Sequence, residues 1–400
     1  MSAARRLRHL RLTSVPKHFA NKHELPLTEL PLFTGFEIIL LGTGAGMPSI
    51  ERGATSVCLQ LPKKSWLIDC GEGALRQMFR STVRAPTVEK IFLTHTHGDH
   101  IFGLPGMLCT LNALGSPPVD PDTNEPTRRR IEVFGPPGVF DFVNVALNTG
   151  RANMANVLVH IHELMPVSAA PAAVTSSLGV HECLRRHEIA PLVVDGIPRW
   201  HVVDDGEHSV VAGALRHSVP SLGYVIEEKS RSGRFDVDAA VRRGLRPGPL
   251  YKQLKDGHSV PLPDGTRLHP HEVIGPSRRG RKIAVLGDSS DSTGMYPIAQ
   301  NVDVLVHEAT LAHSAAAIVT LALERGHSTS SMAGHFAKHM NATLLVLTHF
   351  SSRFSRARLS SRSVQQLVDE ARVTFRKRAV VDGFDLMRIP ILAHGDVTTH

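Results

Sequence analysis

Thr94-His95-Thr96-His97-Gly98-Asp99-His100 is the most informative stretch of this 400-residue chain. It follows the apolar run Ile91-Phe92-Leu93, which is typical of a buried strand, and its glycine allows a sharp turn at the strand end. Neutral imidazole and carboxylate are the groups that Zn²⁺ and similar cations prefer as ligands. The stretch supplies more ligands than one catalytic zinc with an open position can use, so it predicts two adjacent metal ions.

A solvent-exposed, histidine-rich turn is the alternative interpretation, because the chain contains 24 histidines. The metal site is favoured because similar residues recur behind other apolar, strand-like runs, at His217, Asp288 and His349. Strand ends on one edge of a sheet converge in space, although each of these three alone would be better explained as a cap, turn or core residue. The first ligand group is predicted to be His95, His97 and His217, the second ligand group Asp99, His100 and His349, and Asp288 the bridge between them.

The order of the predicted elements favours an α/β fold, an αββα sandwich with the metal ions at one edge between two sheets. Apolar runs predict strands at 36–41, 56–61, 66–69, 91–93, 131–134, 224–227, 282–286, 303–306 and 343–347. Helices are expected at 104–114 and 364–375, and the segment 379–389 is expected to close a sheet. One domain is predicted over 34–400, with loops at 115–130 and 165–210 whose role the pattern leaves open.

The composition sets limits on the class of protein. No apolar run reaches the roughly 20 residues of a membrane-spanning helix, so no membrane partner is expected. The net charge of +8 and the pI near 9.6 favour a polyanionic partner, although charge alone does not separate RNA from a membrane surface or from simple solubility. An aromatic content of 5% argues against recognition by base stacking over a broad surface.

Residues 1–33 have a different composition from the rest of the chain. Several arginines and lysines precede the first acidic residue, Glu24. An arginine-rich, acid-poor start is typical of a mitochondrial targeting segment, so a mitochondrial location is predicted. A basic arm that adds RNA affinity or directs nuclear import is the alternative, which leaves nuclear and cytoplasmic locations open.

A second basic region follows the run that ends near Glu227. From 228 to 263 the chain is polar and rich in glycine and proline, and its cations are spread along it. A projecting basic arm suits phosphate binding that does not depend on base sequence. The alternative interpretation is a solvent-exposed surface loop whose charges bind no partner. The cations predicted to bind RNA are Arg231, Arg234, Arg242, Arg243, Arg246, Lys252 and Lys255.

Several motifs resemble those of a known family. His-Thr-His-Gly-Asp-His at 95–100 resembles the metallo-β-lactamase superfamily, and within it the chain is similar to the short form of ribonuclease Z, the tRNA 3′-processing endoribonuclease. The first motif is shared across the superfamily, whereas the motifs at 307–310 and 326–329 and the basic insertion are more particular. The segments that carry the likeness are THTHGDHIFGLPG at 94–106, RHSVPSLGY at 216–224, GDS at 287–289, HEAT at 307–310, GHST at 326–329 and THFSSR at 348–353.

The resemblance implies roles for individual residues. It implies the metallo-β-lactamase sandwich with a protruding basic exosite arm, two Zn²⁺ per subunit with Mn²⁺ as a substitute, and the same metal ligands as above. Asp99 would orient or deprotonate the attacking water, and Glu308 would orient His327, which helps the leaving oxygen depart. The arm, with a turn at Gly248-Pro249, would hold tRNA for the partner subunit of a homodimer.

The resemblance also assigns a loop to the 3′ end of the substrate, through Pro48 and Arg52. The family often has lysine and asparagine in this loop where the chain has Ile50 and Gly53, so discrimination between precursors with and without an encoded CCA stays open.

The sequence therefore predicts a zinc-dependent endoribonuclease that acts on precursor tRNA. A metal-bound hydroxide is expected to attack the phosphodiester, leaving a tRNA 3′-hydroxyl and a trailer with a 5′-phosphate. Two alternatives remain. One is a phosphodiesterase of the same fold acting on small or other nucleic-acid phosphodiesters, and the other is a catalytically silent RNA-binding subunit.

Overall fold

The computed structural model describes residues 33–114, 118–167, 178–355, 362–376 and 379–394. The predicted N-terminal extension therefore lies outside the described residues except for its last residue, as do 115–117 and 168–177 of the two predicted loops. Among the described residues no helix combines the length and the apolar character that crossing a membrane requires.

The first sheet is built mainly from the N-terminal half of the chain. Its strands are β1 (Glu37–Gly42), β2 (Ser56–Gln60), β3 (Ser65–Ile68), β4 (Val88–Phe92), β5 (Arg129–Gly135), β6 (Val157–Leu164), β7 (Leu184–Ile189) and β18 (Arg388–Pro390). Across the sheet the strands follow the order β18-β1-β2-β3-β4-β5-β6-β7, and β3 to β7 are parallel. The helices on its outer face are α1 (Ala74–Arg80), α2 (Gly98–Ile101), α3 (Leu104–Leu114) and α4 (Val139–Thr149).

The second sheet has the order β17-β16-β15-β14-β11-β10-β9-β8, and β14 to β17 are parallel. Its strands are β8 (Leu192–Val194), β9 (Ile197–Asp204), β10 (His208–Leu215), β11 (Ser221–Glu228), β14 (Lys282–Leu286), β15 (Val304–Glu308), β16 (Leu344–Thr348) and β17 (Val380–Asp382). The parallel strands β14, β15 and β16 are buried along most of their length, which is why their sequences read as continuous apolar runs.

The insertion, defined here as residues 229–281, leaves the second sheet after β11 and returns at β14. It contains α5 (Val237–Arg242), α6 (Leu250–Lys255), β12 (Val260–Pro261), β13 (Arg267–Leu268) and α7 (Pro270–Val273). These elements share a small apolar core of their own, to which Ala240, Leu254, Val260, Leu268 and Val273 contribute. The folded unit is longer than the predicted range 228–263, because the β12–β13 hairpin and α7 pack on the same core.

Three apolar layers hold the rest together. One lies between the two sheets and contains Trp66, Phe92 and Tyr224, and the other two lie between each sheet and its helices. The helices on the second sheet are α8 (Ala316–Glu324), α9 (Ser330–His339) and α10 (Val364–Phe375). In α10 the buried residues Val364, Leu367, Val368, Ala371 and Phe375 recur at helical spacing, which is the pattern that predicts this helix from sequence.

The described residues confirm the predicted αββα sandwich. The segment 379–389 differs in detail, because it supplies one short strand to each sheet rather than a single closing strand. β17 pairs with β16, and β18 pairs with β1 in the opposite sheet. The chain crosses between the layers at 383–387, and an apolar pattern does not reveal which layer a strand joins.

Candidate metal centre

The predicted ligands come together at the carboxyl ends of strands in both sheets. Two strand ends turn sharply, since Asp69 after β3 and His349 after β16 have φ values of 61° and 54°. This left-handed conformation is uncommon for residues other than glycine and is often found at functional sites. It turns both side chains toward the groups that follow β4 and β14.

The first ligand group is compact. His97 Nδ1 lies 3.2 Å from both His95 Nε2 and His217 Nε2. Asp288 Oδ2 lies 3.7 Å from His95 Nε2 and belongs to the same cluster of possible ligand atoms. Burial, followed by the neighbouring His100, lowers the pKa of His95 to about 2, so its imidazole is neutral and its lone pair is available.

The second ligand group adjoins the first. His349 Nε2 lies 3.2 Å from Asp99 Oδ2 and 3.3 Å from His100 Nε2. Asp288 also contacts this group, with Oδ2 3.3 Å from His349 Nε2 and Oδ1 3.5 Å from His100 Nε2. The structure therefore brings all the predicted ligands to one place and puts Asp288 between the two groups.

The donor atoms fit divalent cations. Imidazole nitrogens separated by 3.2–3.3 Å have the spacing of neighbouring ligands on one tetrahedral zinc, about 3.3 Å for Zn–N bonds of about 2.0–2.1 Å. Lone pairs of neutral imidazoles facing one another at this distance repel unless a proton or a cation lies between them. The residues present thus suit two cations that share a carboxylate.

Outer contacts orient the ligand rings. His100 Nδ1 lies 2.7 Å from Asp69 Oδ2, and His217 Nδ1 donates to the carbonyl of Gly326 at 2.7 Å. His349 Nδ1 lies 2.9 Å from the hydroxyl of Thr310. These contacts leave the Nε2 atoms facing the centre, as ligand histidines require. Asp69 thus orients His100 rather than capping α1, because its other oxygen accepts from Thr94 N–H and α1 begins five residues later.

Glu308 and His327 lie beside the ligand groups. His327 Nδ1 is 3.2 Å and 3.3 Å from the two oxygens of Glu308, and Glu308 also accepts from Ser289 N–H at 2.7 Å. Burial opposes a charge on His327, but the Glu308 carboxylate outweighs it and raises the pKa of His327 to about 9. His327 Nδ1 is also 3.7 Å from Asp288 Oδ2, so the geometry admits it as a ligand as well.

A cavity of about 410 Å³ opens beside the two ligand groups and is lined by His97, Asp99, Asp288, His349 and His327. Its lining also includes side chains to which the sequence pattern gave no role. They are Met47, Thr310, Leu311, Arg325, Ser351, Ser352 and Arg353. All of them except Met47 lie within or next to the motifs at 307–310, 326–329 and 348–353. Their position near a motif could therefore have identified them from the sequence as residues of the site.

The loop assigned to the substrate 3′ end divides into two parts. Pro48 is exposed, and the nearby Gly46 N–H donates to Asp99 Oδ2 at 2.7 Å. Arg52, in contrast, is 3% exposed, donates to Thr43 Oγ1 and to the carbonyl of Gly383, and packs over the Phe350 ring. In this structure Arg52 therefore supports the loop from beneath, and its contact with the substrate stays a prediction.

The predicted RNA-binding cations all lie on the surface of the insertion. Arg231 pairs with Glu228, and Arg243 pairs with Glu272. The exposed turn at Gly248-Pro249 directly precedes α6. None of these residues lines the cavity at the metal centre.

Comparison with known proteins gives the family. Ribonuclease Z from Microcystis aeruginosa is 36% identical to this chain over 356 residues, which cover 88% of the chain and 96% of that protein. The chain belongs to the ribonuclease Z family. The mouse protein named zinc phosphodiesterase ELAC protein 1 is 35% identical over 370 residues, covering 89% of this chain and 99% of that protein.

A solved structure agrees with this membership. Human tRNase Z, short form, matches with a TM-score of 0.59 and 30% identity, and the match covers 89% of this chain and 99% of that one. A family model described as anti-Pycsar protein Apyc1 matches residues 36–113, the part that holds the superfamily motif. The ribonuclease Z family and the fold that the motifs predict are thus both confirmed.

Proposed function

We propose that this chain is a metal-dependent endoribonuclease that removes the 3′ trailer from precursor tRNA. The observation that carries the proposal is the pair of ligand groups joined by Asp288, with the Glu308–His327 pair beside them and a cavity that opens on Asp288 and His327. Membership of the ribonuclease Z family supports the choice of tRNA as substrate.

The proposed ligands are the seven predicted ones, His95, His97, Asp99, His100, His217, Asp288 and His349. Their imidazoles and carboxylates suit Zn²⁺, with Mn²⁺ as a substitute, and two ions per chain. Bound there, such cations would provide a nucleophile at neutral pH and neutralise charge on the phosphate oxygens. The protein's own part is to hold the rings and carboxylates in place through Asp69, Thr310 and the carbonyl of Gly326.

Two groups are placed to move protons. Asp99 Oδ2, held by Gly46 N–H, would accept a proton from the water that attacks the phosphorus. With its Nδ1–H directed at Glu308, His327 would donate a proton from Nε2 to the 3′-oxygen as the P–O bond breaks. The products are a tRNA with a 3′-hydroxyl and a trailer with a 5′-phosphate.

The cations of the insertion are the proposed tRNA-binding surface. They are exposed, and phosphate contacts of this kind position an RNA without reading its bases. Family resemblance leads us to include a homodimer, in which the insertion of one chain serves the cavity of the other. A solution mass near 43.6 kDa, that of one chain, would count against the dimer.

The basic composition of residues 1–33 supports a mitochondrial location, with nuclear and cytoplasmic locations as alternatives. Imaging a reporter fused to these residues would test it, and a reporter that stays outside mitochondria would reject it.

The direct test is incubation with a labelled precursor tRNA, with and without a chelator, and mapping of the cut to the nucleotide. We expect one cut at the 3′ side of the tRNA that disappears with the chelator and returns with Zn²⁺. Hydrolysis of bis(p-nitrophenyl) phosphate without cleavage of the precursor would favour a small-substrate phosphodiesterase. Tight binding of the precursor by the zinc-loaded protein without any cleavage would favour a silent RNA-binding subunit.

A further inference from the structure

A second histidine cluster lies on the first sheet, on strands other than those that carry the ligand groups. It consists of His160 and His162 on β6 and His187 on β7, and we call it the histidine ladder. The ligand atoms of the three imidazoles all lie within 4.8 Å of one another. Neither the motifs nor the proposed endonuclease function accounts for it.

Strand register creates the histidine ladder. Phe92, Phe134, His162 and His187 occupy facing positions on β4, β5, β6 and β7, and their rings stack in sequence at 4.6–5.2 Å between centroids. The inner part of the row is apolar and belongs to the core between the sheets, whereas its outer part consists of imidazoles. His160 on β6 is paired with Glu132 on β5, two residues before the Phe134–His162 pair and on the same face of the sheet.

Two imidazoles of the histidine ladder form a hydrogen bond with each other. His160 Nδ1 and His187 Nε2 are 2.9 Å apart, shorter than the about 3.3 Å between two nitrogens on one zinc, so a bound cation would replace this hydrogen bond and move the two rings slightly apart. His162 Nε2 is shielded from solvent and has no hydrogen-bond partner within the described residues. Its contact with Glu132 Oε1 is 3.6 Å, which is too long for a hydrogen bond.

The local charges favour neutral imidazoles. Burial, followed by the charge of Arg130, lowers the pKa of His160 to about 4, and burial with the neighbouring His162 also lowers the pKa of His187. Lys90 and Arg130 both pair with Glu132, so that carboxylate is not free to attract a cation strongly. Three imidazole nitrogens in one cluster suit a transition metal bound through nitrogen rather than a hard cation such as Mg²⁺.

We propose that His160, His162 and His187 bind a divalent transition-metal ion, with Zn²⁺ as the physiological choice. The ion would join β6 to β7, the strand at the edge of the sheet. Because Lys90 and Arg130 oppose positive charge, this site binds zinc more weakly than the candidate metal centre.

The test counts zinc in the full-length protein. Wild type, His187→Ala and the control His335→Ala, which removes an exposed histidine of α9, are equilibrated at fixed free Zn²⁺ and the bound metal is measured by mass spectrometry. We expect wild type and the control to hold one more zinc than His187→Ala, or His187→Ala to need at least about tenfold more free Zn²⁺ for that ion. Equal zinc content and affinity in all three proteins would overturn the proposal.

A second measurement separates the site from catalysis and from misfolding. Zinc at the histidine ladder should slow amide exchange in β7 of wild type and of His335→Ala but not in His187→Ala. Precursor cleavage should be the same in all three proteins, because the histidine ladder lies outside the cavity. The side chain of His187 is exposed, so its removal leaves the core intact, which a circular dichroism spectrum verifies. Zinc-dependent protection of β7 that survives in His187→Ala would also overturn the proposal.

Discussion

Asp288 has a position that no other carboxylate of the site shares. Its Oδ1 atom is 3.5 Å from His100, and its Oδ2 atom lies within 3.7 Å of both His95 and His349. The carboxylate is buried among imidazoles, and although burial alone would raise its pKa, His349 and His100 hold the pKa well below its usual range. A single negative charge thus faces both ligand groups at once.

Replacing Asp288 with asparagine should remove metal and activity together. Asparagine keeps the shape but loses the charge that faces both ligand groups, so we expect bound zinc to fall and precursor cleavage to drop at least about 100-fold. Metal analysis and cleavage assays on the same preparation would measure this. Asp291→Asn, an exposed carboxylate three residues away, is the matched control. Full zinc content in Asp288→Asn would contradict the bridging role.

His327 has a different expected phenotype. Its Nδ1 is held by Glu308, so as a proton donor it should affect the rate without affecting metal binding. We expect His327→Ala to lower the cleavage rate about 10²–10⁴-fold with zinc content unchanged. Glu308→Gln should cause a smaller loss, because the imidazole remains. If His327→Ala instead loses zinc, His327 is a ligand, as its 3.7 Å distance to Asp288 allows.

At the scale of elements, the loop 43–53 depends on a residue far away in sequence. Asp385, in the connection between β17 and β18, accepts hydrogen bonds from Thr43 Oγ1, Gly53 N–H and Gln77 Nε2 at 2.6–2.8 Å. It therefore binds both ends of the loop that contains Gly46, whose N–H donates to Asp99. Arg52 also contributes, because its guanidinium donates to Thr43 Oγ1.

Asp385→Asn should loosen the loop while the ligands stay in place. The amide presents N–H groups to the loop's own donors, and leaving a buried donor unsatisfied costs about 1–3 kcal/mol. We expect kcat/KM for precursor tRNA to fall about tenfold, amide exchange at 44–53 to rise, and zinc content to stay the same. Asp382→Asn on β17 is the control. Unchanged exchange in the loop would show that Asp385 does not anchor it.

The insertion offers a test of substrate binding. Because it folds around its own core, its surface cations can be replaced without unfolding the sandwich. We expect a higher KM for precursor tRNA when alanine replaces Arg234, Arg242, Arg246, Lys252 and Lys255. The slope of the logarithm of the binding constant against the logarithm of the salt concentration should also become shallower, by up to about one unit for each lost phosphate contact. Hydrolysis of bis(p-nitrophenyl) phosphate should be unaffected. Normal precursor cleavage by this variant at physiological salt would refute the assignment of the insertion.

At the scale of the whole molecule, the two sheets are joined by the apolar layer between them and by polar contacts at its rim. Lys64, between β2 and β3, pairs at 2.6 Å with Asp205 in the turn between β9 and β10. Arg281 donates to the carbonyls of Thr34 and Ile391 and pairs with Glu228. The Lys64–Asp205 pair and the bonds from Arg281 to Thr34 and Ile391 link segments next to the first sheet with the second sheet, and Glu228 holds Arg281 beside the second sheet.

The Lys64–Asp205 pair predicts a pH dependence of stability. Burial opposes the charge of Asp205, but Lys64 and backbone N–H groups outweigh it and lower the carboxyl pKa to about 2. A folded-state pKa below the unfolded value of about 3.9 stabilises the fold above pH 4, and this contribution disappears as pH falls toward 2. We expect Asp205→Asn to lose roughly 0.5 kcal/mol at pH 7, as is usual for a partly exposed pair.

Urea unfolding of wild type and Asp205→Asn at several pH values would measure this difference. Glu207→Gln, a more exposed partner at 3.6 Å from Lys64, is the control and should have a smaller effect. A difference between wild type and Asp205→Asn that persists unchanged down to pH 2 would mean that the charge is not its source.

The sequence by itself determined the family, the fold class and the residues that the structure brings together as candidate ligands. These follow from local patterns of a few residues. The apolar residues of a strand indicate that it is buried, and the histidine or aspartate at its end indicates that it can contribute a metal ligand. The motif at 94–100 and the strand ends at His217, Asp288 and His349 needed no knowledge of distant contacts. The predicted helices 104–114 and 364–375 have the bounds of α3 and α10 for the same reason.

Only the tertiary structure decided what depends on register and packing between distant segments. It divided 379–389 between two sheets, buried Arg52 beneath a loop, and extended the insertion to 281. It also brought His160, His162 and His187 together across strands. A sequence pattern gives the face on which a side chain lies, but the partner across that face depends on strand order and register, which long-range packing sets.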